Sequence, residues 1–210
     1  MNAYLERFQQ SYTSGVRRLV ADMVKPLRSI PVTANQVTAA GFVLNLVAAV
    51  LIYEELWIAA GLAFLVGSIL DIFDGAIARS RGEAGPRGAF IDSTLDRIAE
   101  AAVMAAIALV FARGHHEVAI GAVFAALAFS FLTSYARARA EALGLDGIAG
   151  FMARAERVVL IGAALVFAPL DPHVLQFGIY LLALLSGVTV VQRVRHILAQ
   201  IPATDTKEHV

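Results

Sequence analysis

Four aspartates interrupt the apolar runs of this chain. Asp71 and Asp74 close one run, three residues apart, and Asp92 and Asp96 open the next, four residues apart. Either spacing puts both carboxylates on one face of a helix. A carboxylate at membrane depth is costly and generally marks function. The link between the two runs is short, so the runs are expected to be antiparallel neighbours whose four acids meet at one depth. Like charges that close cannot all stay ionised uncompensated, so the site needs protons or cations. Oxygen donors in a chain without Cys select hard cations such as Mg²⁺, Mn²⁺ or Ca²⁺. Four carboxylates suit two such ions bridging a pyrophosphate-like substrate. The competing reading is a set of ion pairs to Arg79, Arg87 and Arg97. Three arginines do not explain why four acids stand at matched depth on two helix faces.

The elements that must carry these residues follow from composition and periodicity. Of 210 residues, 59% are hydrophobic and 16% charged, with a mean hydropathy of +0.70. A soluble domain carries about 25% charge. The composition therefore excludes a soluble globular enzyme, a disordered chain and a nucleic-acid-binding module. A membrane span needs about 20 mostly apolar residues. Six stretches qualify, over residues 37–53, 56–79, 88–112, 118–142, 158–170 and 173–192, the fifth beginning nearer Phe151. The expected fold is an all-α integral membrane protein. Residues 1–36 form an amphipathic juxtamembrane segment, 37–200 a six-helix membrane domain and 201–210 a polar tail. In the first segment Arg7, Arg17, Arg18, Lys25 and Arg28 alternate with apolar residues at helical spacing, a pattern suited to an anionic lipid surface. Six spans place every Lys and Arg except Arg113 on one side. By the positive-inside rule that side, with both termini and the acids, is cytoplasmic, and the membrane is the inner (cytoplasmic) one. Tyr53 and Trp57 flank an external turn as interfacial anchors. His115, His116 and Glu117 read as a solvated external loop.

The stretch Asp71-x-x-Asp74-Gly75-x-x-Ala78-Arg79, then eight residues to Gly88, three to Asp92 and three to Asp96, resembles the signature of the CDP-alcohol phosphotransferases. The resemblance extends to the hydrophobic layout of the whole chain. It implies a juxtamembrane helix, six membrane helices and a homodimer. It also implies that Asp71, Asp74, Asp92 and Asp96 ligate two divalent cations, Mg²⁺ first and Mn²⁺ as the alternative, with Asp96 also the general base. Asp71, Gly75, Ala78, Arg79 and Gly88 would serve the CDP-lipid donor: the first small pair leaves room for cytidine, Arg79 meets phosphate, and Gly88 lets helices approach closely. Thr38 lies in a segment similar to the family's Pro-x-x-x-Thr region, with Ala34 in place of Pro, and would touch the nucleotide. The implied reaction is attack of an alcohol on the lipid-side phosphorus of CDP-diacylglycerol, with loss of CMP.

The signature leaves the alcohol open. Arg137, Arg139, Arg154, Arg157 and Arg193 cluster at cytoplasmic helix ends and could frame a cationic pocket beside the acids. Such a pocket suits an acceptor that carries its own phosphate. Plain positive-inside topology would also place arginines there. Asp92-Ser-Thr-Leu-Asp96-Arg97, Ser134-Tyr135-Ala136-Arg137-Ala138-Arg139-Ala140-Glu141 and Arg154-Ala155-Glu156-Arg157 look like the prokaryotic phosphatidylinositol phosphate synthases, whose acceptor is inositol phosphate. Arg137 and Ala155 stand where those enzymes commonly have Lys and Pro. The expected product is phosphatidylinositol phosphate. The alternatives are a phosphatidylglycerophosphate synthase or another CDP-alcohol phosphatidyltransferase and, from a different class, an ion transporter with intramembrane carboxylates. Transporters typically carry repeats and broken helices at the bilayer midplane, and no repeat is visible here.

Overall fold

A computed structural model describes residues 33–201. The amphipathic helix expected in the first segment therefore lies, up to residue 32, outside the described residues, as does the tail beyond Ile201. The described chain is helical: α1 (Ala34–Tyr53), α2 (Trp57–Arg81), α3 (Pro86–Arg113), α4 (Glu117–Ala142), α5 (Arg154–Phe167, continued by a 3₁₀ turn, Ala168–Leu170) and α6 (Val174–Leu198). These are the six expected stretches, with shifted ends. Helix α1 starts three residues early because Thr33 and Gln36 form a reciprocal capping box. Helix α2 ends at Gly82, whose φ of 71° is the left-handed conformation that glycine adopts without strain. Pro86 then starts α3, where its missing N–H costs nothing.

Four helices, α1, α2, α4 and α6, are long and apolar enough to cross a membrane. Helix α3 is long but carries Arg87, Asp92, Asp96 and Arg97 in its first half and Glu100 at its middle. Helix α5 has 14 residues, about 21 Å at 1.5 Å per residue, short of the ~30 Å hydrocarbon core. The outside of the bundle is apolar: Val43, Val47 and Val50 on α1, Leu62, Val66 and Ile69 on α2, and Phe177, Leu184 and Val191 on α6 are exposed. So continuous an apolar surface suits lipid rather than water. Inside, Ile52, Ile107, Leu165, Ile179 and Leu182 form the core, joined by fully buried Ser130, Ser186 and Thr189.

The packing corrects one expectation. Helices α2 and α3, joined by a short loop, do not lie closely side by side. Both pack on α1, while α2 packs on α5, α3 on α4, and α6 on α4 and α5. The signature acids thus face each other across a space, with α1 and α5 beside it. The α1–α2 crossing is close because Gly41 and Gly67 meet there. A Cβ on either would lie about 3 Å or less from the other's carbonyl oxygen. Asn45 lies in the same crossing, against Gly67, and its Nδ2 donates to the Gly41 carbonyl of its own helix at 3.0 Å.

Candidate active site

Because successive helices alternate in direction, the end of α2, the start of α3, the start of α1 and the start of α5 lie at one end of the bundle. The site assembles there. Asp71 and Asp74 come from the last turns of α2, and Asp92 and Asp96 from the first turns of α3. Asp92 faces both Asp71 and Asp74. The side chains of Asp71 and Asp96 are only 6% and 10% exposed. The four acids lie at one end of the bundle, across the gap between α2 and α3 rather than along a packed pair, and among the described residues no three of them stand close enough together to form a metal cluster.

What joins the two halves is Arg154, at the first position of α5. Its Nη2 donates to Asp71 Oδ2 at 2.7 Å and to Asp96 Oδ1 at 2.5 Å, and its Nη1 pairs with Asp96 Oδ2. One guanidinium thus ties α2 and α3 together. The ion pairs weighed for Arg79, Arg87 and Arg97 are not the ones that meet these acids. Arg97 instead pairs with Glu100 at 3.1 Å and donates to Ser134 Oγ at 2.9 Å. Asp74 receives a short hydrogen bond from the Thr38 hydroxyl. Thr38 therefore braces a carboxylate as well as facing the cleft described next.

On the open side of the acids lies a cleft of about 650 Å³ lined by Thr38, Asp74, Gly75, Ala78, Arg79, Gly88 and Asp92, among others. Thr38, Gly75, Ala78, Arg79 and Gly88 are the residues expected to serve the donor, Asp71 apart. The small residues do make room. A Cβ on Gly75 would press on the Arg79 guanidinium at 3.2 Å, and a Cβ on Gly88 would meet nothing within 4 Å. Gly88 therefore does not bring helices together as expected; it keeps the cleft open. On the inner side, a void of about 20 Å³ is walled by Asn45, Ser68, Asp96, Glu100, Arg154 and Arg157. That is room for about one water.

Can this site hold divalent cations? Among the described residues no three acids are gathered as a metal cluster, and Arg154 bonds both Asp71 and Asp96. The donors nevertheless fit. They are all oxygen, which hard cations require, and the buried Asp92 Oδ1 accepts no hydrogen bond among the described residues. A buried carboxylate oxygen without a partner is costly unless a cation completes it.

The five arginines expected around the acceptor divide into four groups. Arg154, 36% exposed in its side chain, is at the acids. Arg157, one turn deeper and 4% exposed, pairs with Glu100 at 3.5 Å. Arg193 is buried, and its Nε and Nη1 donate to the carbonyls of Ala149 at 2.9 Å and Thr133 at 2.7 Å. It thereby straps the α4–α5 loop to α4 and α6. Arg137 is exposed and pairs with Glu141 at 2.8 Å, and Arg139 is exposed. The loop that aims Arg154 is further fixed by Met152 N–H donating to Thr189 Oγ1 at 3.2 Å and by Gly150 at φ 95°. A Cβ on Gly150 would also lie 2.5 Å from Thr189 Cγ2. Sequence reasoning missed Glu100 and Gly41. Glu100 carried a signal: a charge in an apolar run, four residues after Asp96 and on its face. Gly41 carried none, since only the fold shows that it abuts Asp71.

Comparison with known proteins supports the same reading. The family model of the CDP-alcohol phosphatidyltransferases matches residues 31–192. The archaetidylinositol phosphate synthase of Pyrococcus horikoshii is 38% identical over 171 residues, covering 81% of this chain and 86% of that protein. The crystal structure of Mycobacterium tuberculosis phosphatidylinositol phosphate synthase with CDP-DAG bound superposes with a TM-score of 0.79 at 28% identity, over 92% of this chain and all of that one. The structure of the same enzyme with manganese and citrate gives 0.77 at 30% identity, over 85% and 88%. A match over most of the chain, on a signature whose acids the fold brings to one end of the bundle, leaves one conclusion: the chain belongs to the CDP-alcohol phosphatidyltransferase family.

Proposed function

We propose that this protein transfers the phosphatidyl group of CDP-diacylglycerol to a hydroxyl of inositol phosphate, releasing CMP and forming phosphatidylinositol phosphate. The observation that carries the choice of acceptor is Arg154, a partly exposed guanidinium held within hydrogen-bond reach of Asp96. It sets a phosphate-binding cation beside the group that takes the acceptor's proton. Both kinds of relative described above are named for inositol-phosphate lipids, which supports the same acceptor.

In this reading the cytidine end of the donor lies in the cleft beside Gly75, Ala78 and Gly88, and Arg79 meets its phosphates. Two divalent cations, Mg²⁺ or alternatively Mn²⁺, held by Asp71, Asp74, Asp92 and Asp96, would neutralise the pyrophosphate and stabilise the departing CMP. The manganese-bound relative supports that assignment. Asp96 accepts the proton of the attacking hydroxyl. The hydroxyl oxygen forms a bond to the lipid-side phosphorus, and the bond from that phosphorus to the CMP oxygen breaks. Arg154 orients the acceptor's phosphate, Arg157 supports it from one turn deeper, and Arg137, Arg139 and Arg193 extend the positive field. The cytoplasmic excess of Lys and Arg supports six spans across the inner membrane, with termini and site on the cytoplasmic side. An amphipathic segment before α1 and a homodimer complete the assembly.

The test is CMP release by purified protein in detergent with Mg²⁺ and CDP-diacylglycerol, comparing inositol 1-phosphate, glycerol 3-phosphate, free inositol and serine. Release with inositol 1-phosphate alone is expected. Release with glycerol 3-phosphate instead would make it a phosphatidylglycerophosphate synthase. A second donor arm uses a CDP-activated ether lipid. Faster turnover with that donor would change the lipid backbone and leave the acceptor as proposed.

A further inference from the structure

Glu100 lies outside the signature, in the apolar part of α3, yet three elements converge on it. Ser130 of α4, fully buried, donates its hydroxyl to Glu100 Oε1 at 2.5 Å. Arg157 of α5 approaches the same oxygen at 3.5 Å, and Arg97 of its own helix pairs with Oε2 at 3.1 Å. Glu100 follows Asp96 by four residues on α3, and Arg157 follows Arg154 by three on α5. The two helices therefore present two rungs: Asp96 with Arg154 near the surface, and Glu100 with Arg157 one turn deeper. The rungs share the small void beneath Asp96.

The deeper rung has no access to a dissolved acceptor, because Arg157 is 4% exposed. Its placement acts through the upper one. If Glu100 lost its charge, Arg157 would be a buried cation without its counter-ion. The other carboxylate on that void is Asp96. Arg157 would then compete with Arg154 for it. We propose that Glu100 is a positioning residue: it holds Arg157 in the deeper rung, and so keeps Arg157 from displacing Arg154 at Asp96, where the acceptor is received. This rests on the reading that the acceptor carries a phosphate gripped by Arg154.

The test compares E100Q, E100D, R157Q and the E100Q/R157Q double variant in the CMP-release assay, titrating CDP-diacylglycerol and inositol 1-phosphate separately. Thermal unfolding in detergent is followed in parallel. Glutamine keeps the shape of Glu100 and an acceptor for Ser130 but removes the charge. The expected result is a rise of tenfold or more in acceptor KM for E100Q, with donor KM within twofold. E100D should recover part of the loss. The double variant should be less impaired than the product of the two single effects, since removing both members of a buried pair leaves no orphan charge. S130A, which leaves every charge in place, should move acceptor KM in the same direction by less. A merely structural role would instead lower the unfolding temperature and depress kcat, with both KM values moved alike or not at all; that result overturns the inference. An unchanged acceptor KM in E100Q, while the wild-type protein uses inositol 1-phosphate, overturns the inference and leaves the proposed function standing. Wild-type turnover only with an unphosphorylated alcohol, or with none of them, overturns both.

Discussion

Replacing Gly41 with alanine adds one methyl group to the outside of the reaction centre. The helix itself gains, since alanine is favoured over glycine in a helix interior by about 1 kcal/mol. The surroundings lose more. The new Cβ would lie 2.7 Å from Asp71 Oδ1, 2.9 Å from the Gly67 carbonyl oxygen and 3.3 Å from Leu70 Cβ. Gly67 O is backbone and cannot turn aside. Asp71 cannot turn freely either, because Arg154 holds its other oxygen at 2.7 Å. To restore an ordinary contact of 3.4 Å, Asp71 must retreat by about 0.7 Å. Overpacking of this kind costs about 1–3 kcal/mol. Set against the propensity gain, the net destabilisation is about 0–2 kcal/mol. A misplacement of about 1 Å at reacting groups costs on the order of 100-fold in rate. The expected outcome for G41A is therefore a folded protein with a modest drop in unfolding temperature and a kcat reduced about 10- to 100-fold. The assay is CMP release at saturating donor and acceptor, with thermal unfolding in the same detergent. G121A is the control, since a Cβ at Gly121 meets nothing within 4 Å, and it should be neutral or slightly stabilised at full activity. If G41A kept kcat within twofold of wild type, Asp71 would not depend on the α1–α2 crossing for its position.

Three further outcomes follow from the geometry. D96N should lower turnover by about 100-fold or more, the usual weight of a general base, while titration of CDP-diacylglycerol binding stays near wild type; near-normal turnover would remove Asp96 from that role. R154A should lose about 10- to 100-fold in kcat/KM for the acceptor, the worth of about one charge-assisted hydrogen bond, and R157A should likewise raise acceptor KM more than donor KM; equal effects on both substrates would remove the acceptor-pocket assignment. G88V should fold normally, because the space beside Gly88 is open, yet raise donor KM several-fold by narrowing the cleft; an unchanged donor KM would show that the donor passes elsewhere.

The sequence alone determined the helices and the chemistry they carry. Apolar runs of span length and the punctuation at Gly82 and Pro86 depend on neighbouring residues, so all six stretches could be read, with ends missed by a few residues where a cap such as Thr33–Gln36 decides. The residue types and spacing of Asp71, Asp74, Asp92 and Asp96 likewise fixed a face, because helical periodicity is local. Tertiary structure decided what meets those faces. The short α2–α3 loop suggested a packed pair, but the small residues Gly41 and Gly67 let α1 approach α2 more closely. Five arginines looked alike in the sequence because positive-inside topology and ligand binding both call for basic residues at the same helix ends. Only packing separates Arg154 at the acids, Arg157 on Glu100, Arg193 on two backbone carbonyls, and Arg137 and Arg139 in the open. The partners of Arg154, Arg157 and Arg193 come from residues 44 to 83 positions away, and such long-range contacts leave no periodic trace in a single chain.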